Sequence, residues 1–464
     1  MHRLGKGFVT DRQTAHMPTK NDQERKGYKQ KLESLAFFDL LTGIPNRWHF
    51  QDDVRKAVSI CKRNGTRFAV LYMDCDRFKF VNDTLGNEAG DEVLQGFVKR
   101  VRSCLREQDR LYRMGGDEFV AIMTNIESTD VSKAAERILS IFREPWYIRN
   151  RVFHMTTSIG ISLFPLDGDN ETALVRNADI ALYHAKTSGK NMYRFYNHCM
   201  GELLKEQLHL EMELQKALQN KQFLLYYQPQ MDIQSRKIIG AEALLRWNHP
   251  SLGILGPDKF IALAERNGMM VDITKWVIEE ACRQSMEWKR IGLPSKVAVN
   301  ISAQHLQRND LVFMIDQVVR KCGMQPGDLE AEITEGAIAR DLETAVETIS
   351  QLKAHGVKVA IDDFGTGFSS LFYLKKLPVD TLKIDRSFIS DITANDRDKN
   401  IVEFIMKLAE MLGFTVVAEG VESEEQAIIL REQRCHVIQG YLVSKPMPND
   451  LYVKFIYNIQ NNGT

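Results

Sequence analysis

The chain has 464 residues, enough for two or three domains, and its 44% hydrophobic and 26% charged residues are typical of a globular protein with full cores. Its formal net charge is zero, so the composition does not indicate a DNA- or RNA-binding surface. The seven cysteines are scattered without a C-x-x-C pair, which argues against a disulfide framework or a cysteine zinc site. No apolar stretch is long enough for a membrane span, so a cytoplasmic protein is expected.

The first part of the chain predicts an α+β domain over residues 22–196. Residues 1–21 are polar and aperiodic and are predicted to be a disordered leader. The predicted elements that follow are a lead-in helix at Asp22–Phe38, a turn at Asp39–Arg47, a helix to about Arg63, a strand at Arg67–Met73, helices at Phe78–Leu85 and Ala89–Leu105, strands at Leu111–Met114 and Phe119–Met123, a helix at Val131–Phe142, a strand pair around Arg149–Arg151, a helix at Glu171–Thr187 and a strand at Tyr193–Phe195. Periodicity alone leaves the strand order open.

An amphipathic helix over residues 197–220 is predicted to connect this domain to the rest of the chain. One apolar stripe contains Leu204, Leu208 and Met212, and the stripe beside it contains Leu210, Leu214 and Leu218. Two stripes exceed what a tether requires, so the helix is expected to pack on at least one domain. In residues 221–464, about eight strand candidates alternate with helices, which predicts a (β/α)8 barrel with its active site at the carboxyl ends of the strands.

Polar residues mark the ends of successive predicted barrel strands. They are Asn300, Glu332, Asp362, Asp363, Lys383, Glu419 and Gln439. A lone Asp-Asp pair is more often a helix cap beside a solvated acid, but repetition at strand after strand indicates a shared site on one rim. Carboxylates without matching histidines favour Mg²⁺ or Mn²⁺ over Zn²⁺, and two adjacent aspartates favour a metal pair that cleaves a phosphodiester. Metal-free carbohydrate cleavage is the alternative, although Asn300 and Lys383 suit a phosphate or water oxygen better than a sugar ring.

These residues resemble the EAL family of cyclic di-GMP-specific phosphodiesterases. The resemblance covers Phe223–Tyr457 and rests on E-A-L-L-R-W-N-H-P from Glu242, V-N-I-S, E-I-T-E, D-D-F-G-T-G-F-S-S, L-K-I-D, A-E-G-V-E and Q-G-Y. It implies a TIM-like barrel that linearises cyclic di-GMP to pGpG with two divalent cations. The resemblance implies that the metal ligands are Glu242, Asn300, Glu332, Asp362, Asp363 and Glu419. It also implies catalysis by Lys383 and Glu419, with Lys383 at the attacking water, and support of the metal site and the dinucleotide by Glu422 and Gln439. Leu244 and Arg246 would contact the substrate, and Glu335 would hold the loop at residues 363–370. Phe368 stands where the family often has tyrosine.

In the first domain, acidic residues surround a glycine turn. The group consists of Asp74, Gly115, Gly116, Asp117 and Glu118. Its acids could hold a second Mg²⁺ site, although an ordinary type I′ turn is the more frequent explanation of Gly-Gly alone. Lys186 and Lys190 could bind phosphate, but on their own a solvated helix face is the favoured explanation.

Together these segments resemble the GGDEF family of diguanylate cyclases, which condense two GTP molecules into cyclic di-GMP. The match covers about Leu35–Phe195 and rests on D-L-L-T-G-I-P-N-R, the stretch Asp74–Asp91, G-G-D-E-F, S-I-G-I-S and A-D-I-A-L-Y-H-A-K. The resemblance implies that one or two Mg²⁺ bind with GTP at Asp74 and Glu118, and that Asn82 and Asp91 recognise guanine. The phosphates would be bound by the Phe78 and Lys79 amides, Lys186 and Lys190, with Gly115 and Gly116 close to GTP. Asp117 would be catalytic, and Arg106 and Asp109 would form an inhibitory product site. Asn87 replaces the usual histidine, and Lys190 replaces an arginine, which loses bidentate phosphate geometry and bears on cyclase rate more than on GTP binding.

The two resemblances predict a bifunctional enzyme that makes and degrades cyclic di-GMP. The alternative is a phosphodiesterase whose first domain only binds GTP and regulates the barrel, and a third hypothesis is a dinucleotide receptor with both sites silent. Condensation requires two GTP-loaded domains to face each other, so a homodimer is expected. The net direction of turnover is open, as is the input signal, for which an upstream signalling protein is one candidate.

Overall fold

The computed structural model describes residues 36–149, 151–366 and 374–462. The predicted leader, nearly all of the lead-in helix and the departure at Phe368 lie outside this part of the chain. The described residues form two compact units that divide between Gln207 and Leu208. None of their helices combines the length and the hydropathy that crossing a bilayer requires.

The first unit has a five-stranded sheet in the order β2-β3-β1-β6-β7 and a separate β4-β5 hairpin. Its strands are β1 (Phe68–Cys75), β2 (Arg110–Gly115), β3 (Glu118–Thr124), β4 (Trp146–Ile148), β5 (Arg151–Phe153), β6 (Thr157–Phe164) and β7 (Tyr193–Phe195). Its helices are α1 (Arg47–Asn64), α2 (Phe78–Leu85), α3 (Asn87–Cys104), α4 (Ser128–Phe142) and α5 (Glu171–Thr187). The predicted α+β class is confirmed, with small shifts at the element ends.

Strand β1 explains why helices cover both faces of this sheet. All eight of its residues are buried. Phe68, Val70 and Tyr72 lie in one apolar cluster with residues of α1 and α5, whereas Leu71 and Met73 lie in another with residues of α3 and α4. Successive strand residues point to opposite faces, so an unbroken apolar run requires a layer of helices on each side.

A glycine in β6 sets how closely α5 approaches the sheet. A Cβ on Gly160 would lie 2.0 Å from the carbonyl oxygen of Ala178 and 2.2 Å from the amide nitrogen of Leu182. Any larger residue would therefore push α5 away from the sheet. Since Lys186 lies on the last turn of α5, this close approach helps to bring its ammonium to the end of β1.

The second unit is a closed barrel. Its strands are β8 (Phe223–Asp232), β9 (Ile238–His249), β10 (Gly253–Leu255), β11 (Lys296–Asn300), β12 (Leu329–Thr334), β13 (Lys358–Phe364), β14 (Thr381–Ile384), β15 (Thr415–Ala418), β16 (Val437–Ile438) and β17 (Met447–Pro448). Its helices are α7 (Pro257–Arg266), α8 (Met270–Arg290), α9 (Ala303–Leu306), α10 (Leu311–Cys322), α11 (Glu335–Arg340), α12 (Leu342–Ala354), α13 (Arg386–Ile389), α14 (Asp396–Leu412), α15 (Glu424–Glu432) and α16 (Asn449–Asn462), with a 3₁₀ turn at Pro326–Asp328. The predicted TIM-like barrel is confirmed.

One barrel strand departs from the all-parallel arrangement. Strands β9 and β11–β16 are successive parallel neighbours, and β8 closes the ring by pairing antiparallel with both β16 and β9. A parallel connection needs a crossover of about a dozen residues or more, and the segment between Asp232 and Ile238 is much shorter. The first two barrel strands therefore form a hairpin.

The connecting helix, α6, spans His198–Ala217. Leu214 and Ala217 are fully buried in the barrel core. Leu208 and Met212 on the other stripe are 53% and 60% exposed. One of the two predicted stripes therefore packs on the barrel.

Candidate active site

The barrel rim gathers four carboxylates around one buried lysine. The Nζ of Lys383 on β14 lies 2.7 Å from Glu419 Oε1, 2.9 Å from Glu332 Oε2, 3.2 Å from Asp362 Oδ1 and 3.4 Å from Glu242 Oε2. Burial alone would lower the pKa of Lys383, but the surrounding carboxylates outweigh burial and raise it well above its usual value. The lysine is therefore a fixed cation at neutral pH and cannot act as a base.

Glu242 is held from both sides by neutral donors. Asn300 Nδ2 donates to its Oε1 over 2.7 Å, and Gln439 Nε2 donates to its Oε2 over 2.5 Å. Burial would raise the pKa of this carboxyl, but Lys383 and these two amides lower it below its usual value. Glu242 thus stays ionised with a fixed orientation.

Glu332 has no such donors. Its side chain is buried, and its Oε2 lies 2.9 Å from Lys383 Nζ, the ammonium that it shares with three other carboxylates. Neither carboxylate oxygen has a hydrogen-bond partner among the other described groups. Burial, followed by the charge of Glu242, raises the pKa of Glu332 well above its usual value. One ammonium shared among four carboxylates leaves buried negative charge uncompensated, which is costly, and a bound cation would reduce that cost.

A backbone irregularity turns two adjacent aspartates toward one site. Neighbouring strand residues normally point to opposite faces, but the β13–β14 register shifts between Ile361 and Phe364, and Asp363 has a φ of 53°. Such a conformation costs a non-glycine residue ~1–3 kcal/mol. As a result, ligand oxygens of Asp362, Asp363 and Glu419 lie within 4.8 Å of one another. The donor set is all oxygen and fits a divalent cation such as Mg²⁺ or Mn²⁺.

The predicted substrate residues lie around this cluster to differing degrees. Leu244 and Arg246 follow Glu242 at two-residue spacing on β9, so all three share a face. Glu335 Oε2 accepts the amide N–H of Gly365 over 3.1 Å, which holds the start of the predicted loop. Glu422 is exposed, and its Oε1 accepts from Arg386 over 2.7 Å. The structure therefore does not place Glu422 against the carboxylates, and its role stays a prediction.

The first unit places its predicted acids at one end of the sheet. Asp74 and Glu118 are cross-strand partners on β1 and β3, and Asp117 lies in the turn before β3. Lys186 Nζ is 2.6 Å from Asp74 Oδ2, and Glu118 Oε2 accepts from the Tyr72 hydroxyl over 2.9 Å. Burial is the main cause that raises the pKa of Asp74 to about 6, against the lowering effect of Lys186, and burial also raises the pKa of Asp117. Asp74 is buried, Asp117 is half-buried and Glu118 is exposed, and acids gathered in this way suit a cation beside a polyphosphate.

Backbone groups near these acids are arranged so that a ligand could closely approach the main chain. Helix α2 begins at Phe78 without a side-chain cap, so the amides of Phe78 and Lys79 have no partner within the helix. Gly115 and Gly116 form the hairpin turn with φ values of 149° and 50°, which other residues rarely adopt. Lys190 is exposed just past α5. Phosphate binding at these groups stays a prediction.

Asn82 is the predicted guanine contact with the clearest structural signature. Its Oδ1 is buried and has no hydrogen-bond partner among the described residues. A Cβ on Gly90 would lie 1.9 Å from that oxygen, so glycine leaves the space it occupies. Asp91, the other predicted contact, is exposed on α3.

Arg106 and Asp109 of the predicted inhibitory site both line a cavity of about 490 Å³. Asp109 Oδ2 accepts the amide N–H of Arg106 over 3.0 Å, and its Oδ1 is buried without a partner among the described residues. The guanidinium of Arg106 lies 3.1 Å from Asp130 Oδ1. Whether a dinucleotide binds there stays a prediction.

Sequence reasoning missed several polar residues that shape these sites. Asp76 is one of them: it is 3% exposed and accepts from the Thr156 and Ser158 hydroxyls, which fixes the segment after Asp74. Gln228 and Gln230 are buried beside Glu242. Their signal in the sequence was the alternation Q-P-Q within the first barrel strand.

Comparisons with known proteins agree with this geometry. The EAL domain profile matches residues 211–446, which is half of the chain, and the profile described as "Diguanylate cyclase, GGDEF domain" matches residues 36–192. The chain belongs to the EAL family. It joins its EAL domain to a GGDEF domain in tandem, as the sequence motifs predicted.

The relatives include two proteins of Pseudomonas aeruginosa. "Bifunctional diguanylate cyclase/cyclic di-GMP phosphodiesterase MucR" is 41% identical over 90% of this chain and 61% of its own length. "Cyclic di-GMP phosphodiesterase NbdA" is 39% identical over 90% of this chain and 53% of its own length. Among solved structures, "PaMucR Phosphodiesterase, c-di-GMP complex" is 41% identical, covers 53% of this chain and 99% of that chain, and has a TM-score of 0.51. The chain thus spans between half and two thirds of the length of these curated relatives.

Proposed function

We propose that the EAL domain hydrolyses cyclic di-GMP to linear pGpG in a reaction that depends on divalent cations. The observation that carries the proposal is that one ammonium, that of Lys383, serves four carboxylates, including the buried Glu332. Beside it, ligand oxygens of Asp362, Asp363 and Glu419 lie within 4.8 Å of one another. Divalent cations bound there would polarise the phosphodiester and lower the pKa of a bound water. The relatives' names support cyclic di-GMP as the substrate.

The chain's own groups have distinct tasks in this reaction. A water oxygen attacks one phosphorus, the P–O3′ bond breaks, and the released 3′-oxygen takes up a proton. Glu419, whose Oε1 lies 2.7 Å from Lys383 Nζ, is the carboxylate that would accept the proton of the attacking water. Lys383 stays protonated and holds the carboxylates together, and Arg246 lies on the same face of β9 as Glu242, where it can meet a phosphate or base.

Two matched substitutions on β12 test this proposal. Glu332→Gln should abolish hydrolysis, measured as pGpG formed from cyclic di-GMP with Mg²⁺ or Mn²⁺ and separated by chromatography. Glu330→Gln is the control, because Glu330 is equally buried two residues earlier but accepts from Thr381 over 2.6 Å and contacts Lys296. Hydrolysis that persists in Glu332→Gln, or is lost equally in both variants, would refute the assignment.

We further propose that the GGDEF domain binds GTP with Mg²⁺ at Asp74 and Glu118 and condenses two GTP in a homodimer. Each domain holds one GTP, and a 3′-hydroxyl attacks the α-phosphate of the partner's GTP with release of pyrophosphate. Asp117, with its pKa raised by burial, would assist removal of the hydroxyl proton. Such catalysis needs mainly positioning and charge.

The alternative for this domain is GTP binding without condensation, favoured by the exposed Lys190 in place of an arginine. Incubation of the chain with GTP and Mg²⁺ distinguishes the two. Cyclic di-GMP that is formed at a rate second-order in enzyme, and lost in Asp74→Asn, supports condensation in a dimer. GTP binding by calorimetry without any product supports the regulatory alternative. Asp53→Asn is the control, since Asp53 on α1 accepts from the Tyr112 hydroxyl over 2.9 Å and has no assigned part in GTP binding.

A further inference from the structure

Three buried glutamines form a hydrogen-bonded chain beside Glu242. Gln228 and Gln230 lie two residues apart on β8, so their side chains share a face. Strand β8 lies between β16 and β9. Gln439 directly follows β16, and Gln228 of β8 stands directly opposite Glu242 of β9. The glutamines are 9%, 2% and 3% exposed, in chain order. The reversed strand of the barrel thus brings two amides to a hydrolytic carboxylate.

The chain of amides has a fixed direction because acceptors stand at both ends. Gln228 Nε2 donates to the carbonyl oxygen of Ser444 over 3.2 Å, so its own oxygen faces Gln439. Gln439 Nε2 donates to that oxygen over 3.1 Å and to Glu242 Oε2 over 2.5 Å, while its Oε1 accepts from Gln230 over 3.1 Å. A flipped Gln439 would set oxygen against oxygen at two contacts and NH₂ against NH₂ at the third.

We propose that Gln228 and Gln230 are positioning residues that fix the Gln439 amide with its N–H groups toward Glu242. Together with Asn300 on the other oxygen, the fixed amide holds the Glu242 carboxylate in the orientation in which it serves the cation site. The inference rests on the proposed hydrolysis at this rim. Loss of such an outer partner typically lowers metal affinity or activity about 10- to 100-fold.

A double-mutant cycle in the full chain tests the proposal. Gln230→Met and Gln439→Met are made singly and together, because methionine keeps the length and removes the amide. Gln230→Met should lower kcat about tenfold or more with little change in KM, and it should cause no further loss when Gln439 is already Met. Independent, additive losses would mean that Gln230 acts only through packing and would overturn the proposal.

Mn²⁺ affinity of the metal-free chain, measured by calorimetry, is a second readout that needs no turnover. It should fall in Gln230→Met and in Gln439→Met, and to the same level in the double variant. Gln284→Met is the matched control, since Gln284 is a 4% exposed glutamine on α8 that donates to Glu287. A wild type that binds Mn²⁺ but hydrolyses no cyclic di-GMP would refute the proposed function alone. Unchanged Mn²⁺ affinity in Gln230→Met would refute the positioning role.

If Gln230→Met does not fold, a matched pair of substitutions that each introduce one negative charge gives an independent test. Gln230→Glu replaces a donor with an acceptor and so favours the flipped Gln439, which then presents its oxygen to Glu242. Gln228→Glu adds the same charge nearby but keeps the acceptor that Gln439 needs. We expect Gln230→Glu to lower Mn²⁺ affinity at least tenfold more than Gln228→Glu. Equal losses in the two variants would show a charge effect without orientation and overturn the proposal.

Discussion

Lys383→Met should destabilise the metal-free EAL domain and abolish hydrolysis. The side chain is fully buried, and its ammonium lies 2.7–3.4 Å from four carboxylates. Methionine keeps most of the volume and removes the charge, so the carboxylates remain buried without their counter-ion. Removing one partner of a buried ion pair costs ~3–5 kcal/mol. For a domain of this size, that loss corresponds to a fall in Tm of roughly 6–20 °C.

Thermal unfolding followed by circular dichroism in EDTA measures this loss. The difference in Tm from wild type should shrink at lower pH, because carboxylates without the ammonium take up protons and their raised folded-state pKa penalises folding only above the unfolded value. Mn²⁺ should restore part of the Tm, since a cation replaces the lost charge. Lys407→Met is the control: its ion pair with Glu403 is exposed and should contribute at most ~1 kcal/mol. Equal Tm values for Lys383→Met and wild type near neutral pH without metal would refute the reasoning.

Three further predictions concern stability. Burial raises the pKa of Glu419 to about 7, so its contribution to the stability of the metal-free chain should be lost as pH rises through that value. From acid to neutral pH, the Tm of wild type should therefore fall relative to the Tm of Glu419→Gln. A Tm difference that does not change with pH would contradict this. Leu214→Ala should cost ~2–5 kcal/mol in urea unfolding, whereas Leu208→Ala on the same helix, 53% exposed, should cost under ~1 kcal/mol; similar losses would mean that the helix is not anchored. Glu213→Ala removes the acceptor of the buried His249 Nε2 at 2.7 Å and should cost ~1–3 kcal/mol, and an unchanged midpoint would show that the contact is not formed in solution.

Much of the barrel site was predictable because parallel strands convert a linear pattern into a ring. Asn300, Glu332 and Lys383 each stand near the carboxyl end of a strand, and the barrel brings those ends to one rim. The same rule could not reveal that Glu332 shares its only cation among the described residues with three other carboxylates, since this depends on what every neighbouring strand contributes. It also could not reveal the turn of Asp363, which comes from a local bulge in β13.

The reversed strand explains the residues that the sequence did not reveal. Gln228 and Gln230 lie on β8, which runs against its neighbours, so they reach the site from within the strand and not from its carboxyl end. A search for polar strand ends therefore passes over them. Glu422 shows the opposite case: its motif position predicts a role at the barrel site, yet its carboxylate accepts a hydrogen bond from Arg386, and the role stays a prediction.

The contacts of the connecting helix with the barrel offer a physical route by which GTP could regulate hydrolysis. On the barrel side the helix is anchored by Leu214 in the core and by Glu213, which accepts from His249 Nε2. His249 Nδ1 in turn accepts the amide N–H of Leu252 over 3.2 Å, so the ring is fixed in one tautomer. Because His249 ends the strand that carries Glu242, a displaced helix would strain that strand. A nucleotide in the GGDEF domain can change hydrolysis only if it binds two arrangements of the chain with unequal affinity. If GTP regulates hydrolysis through this helix, we expect Glu213→Ala, which removes the contact with His249, to weaken the effect of GTP on hydrolysis while leaving each domain able to bind its own ligand.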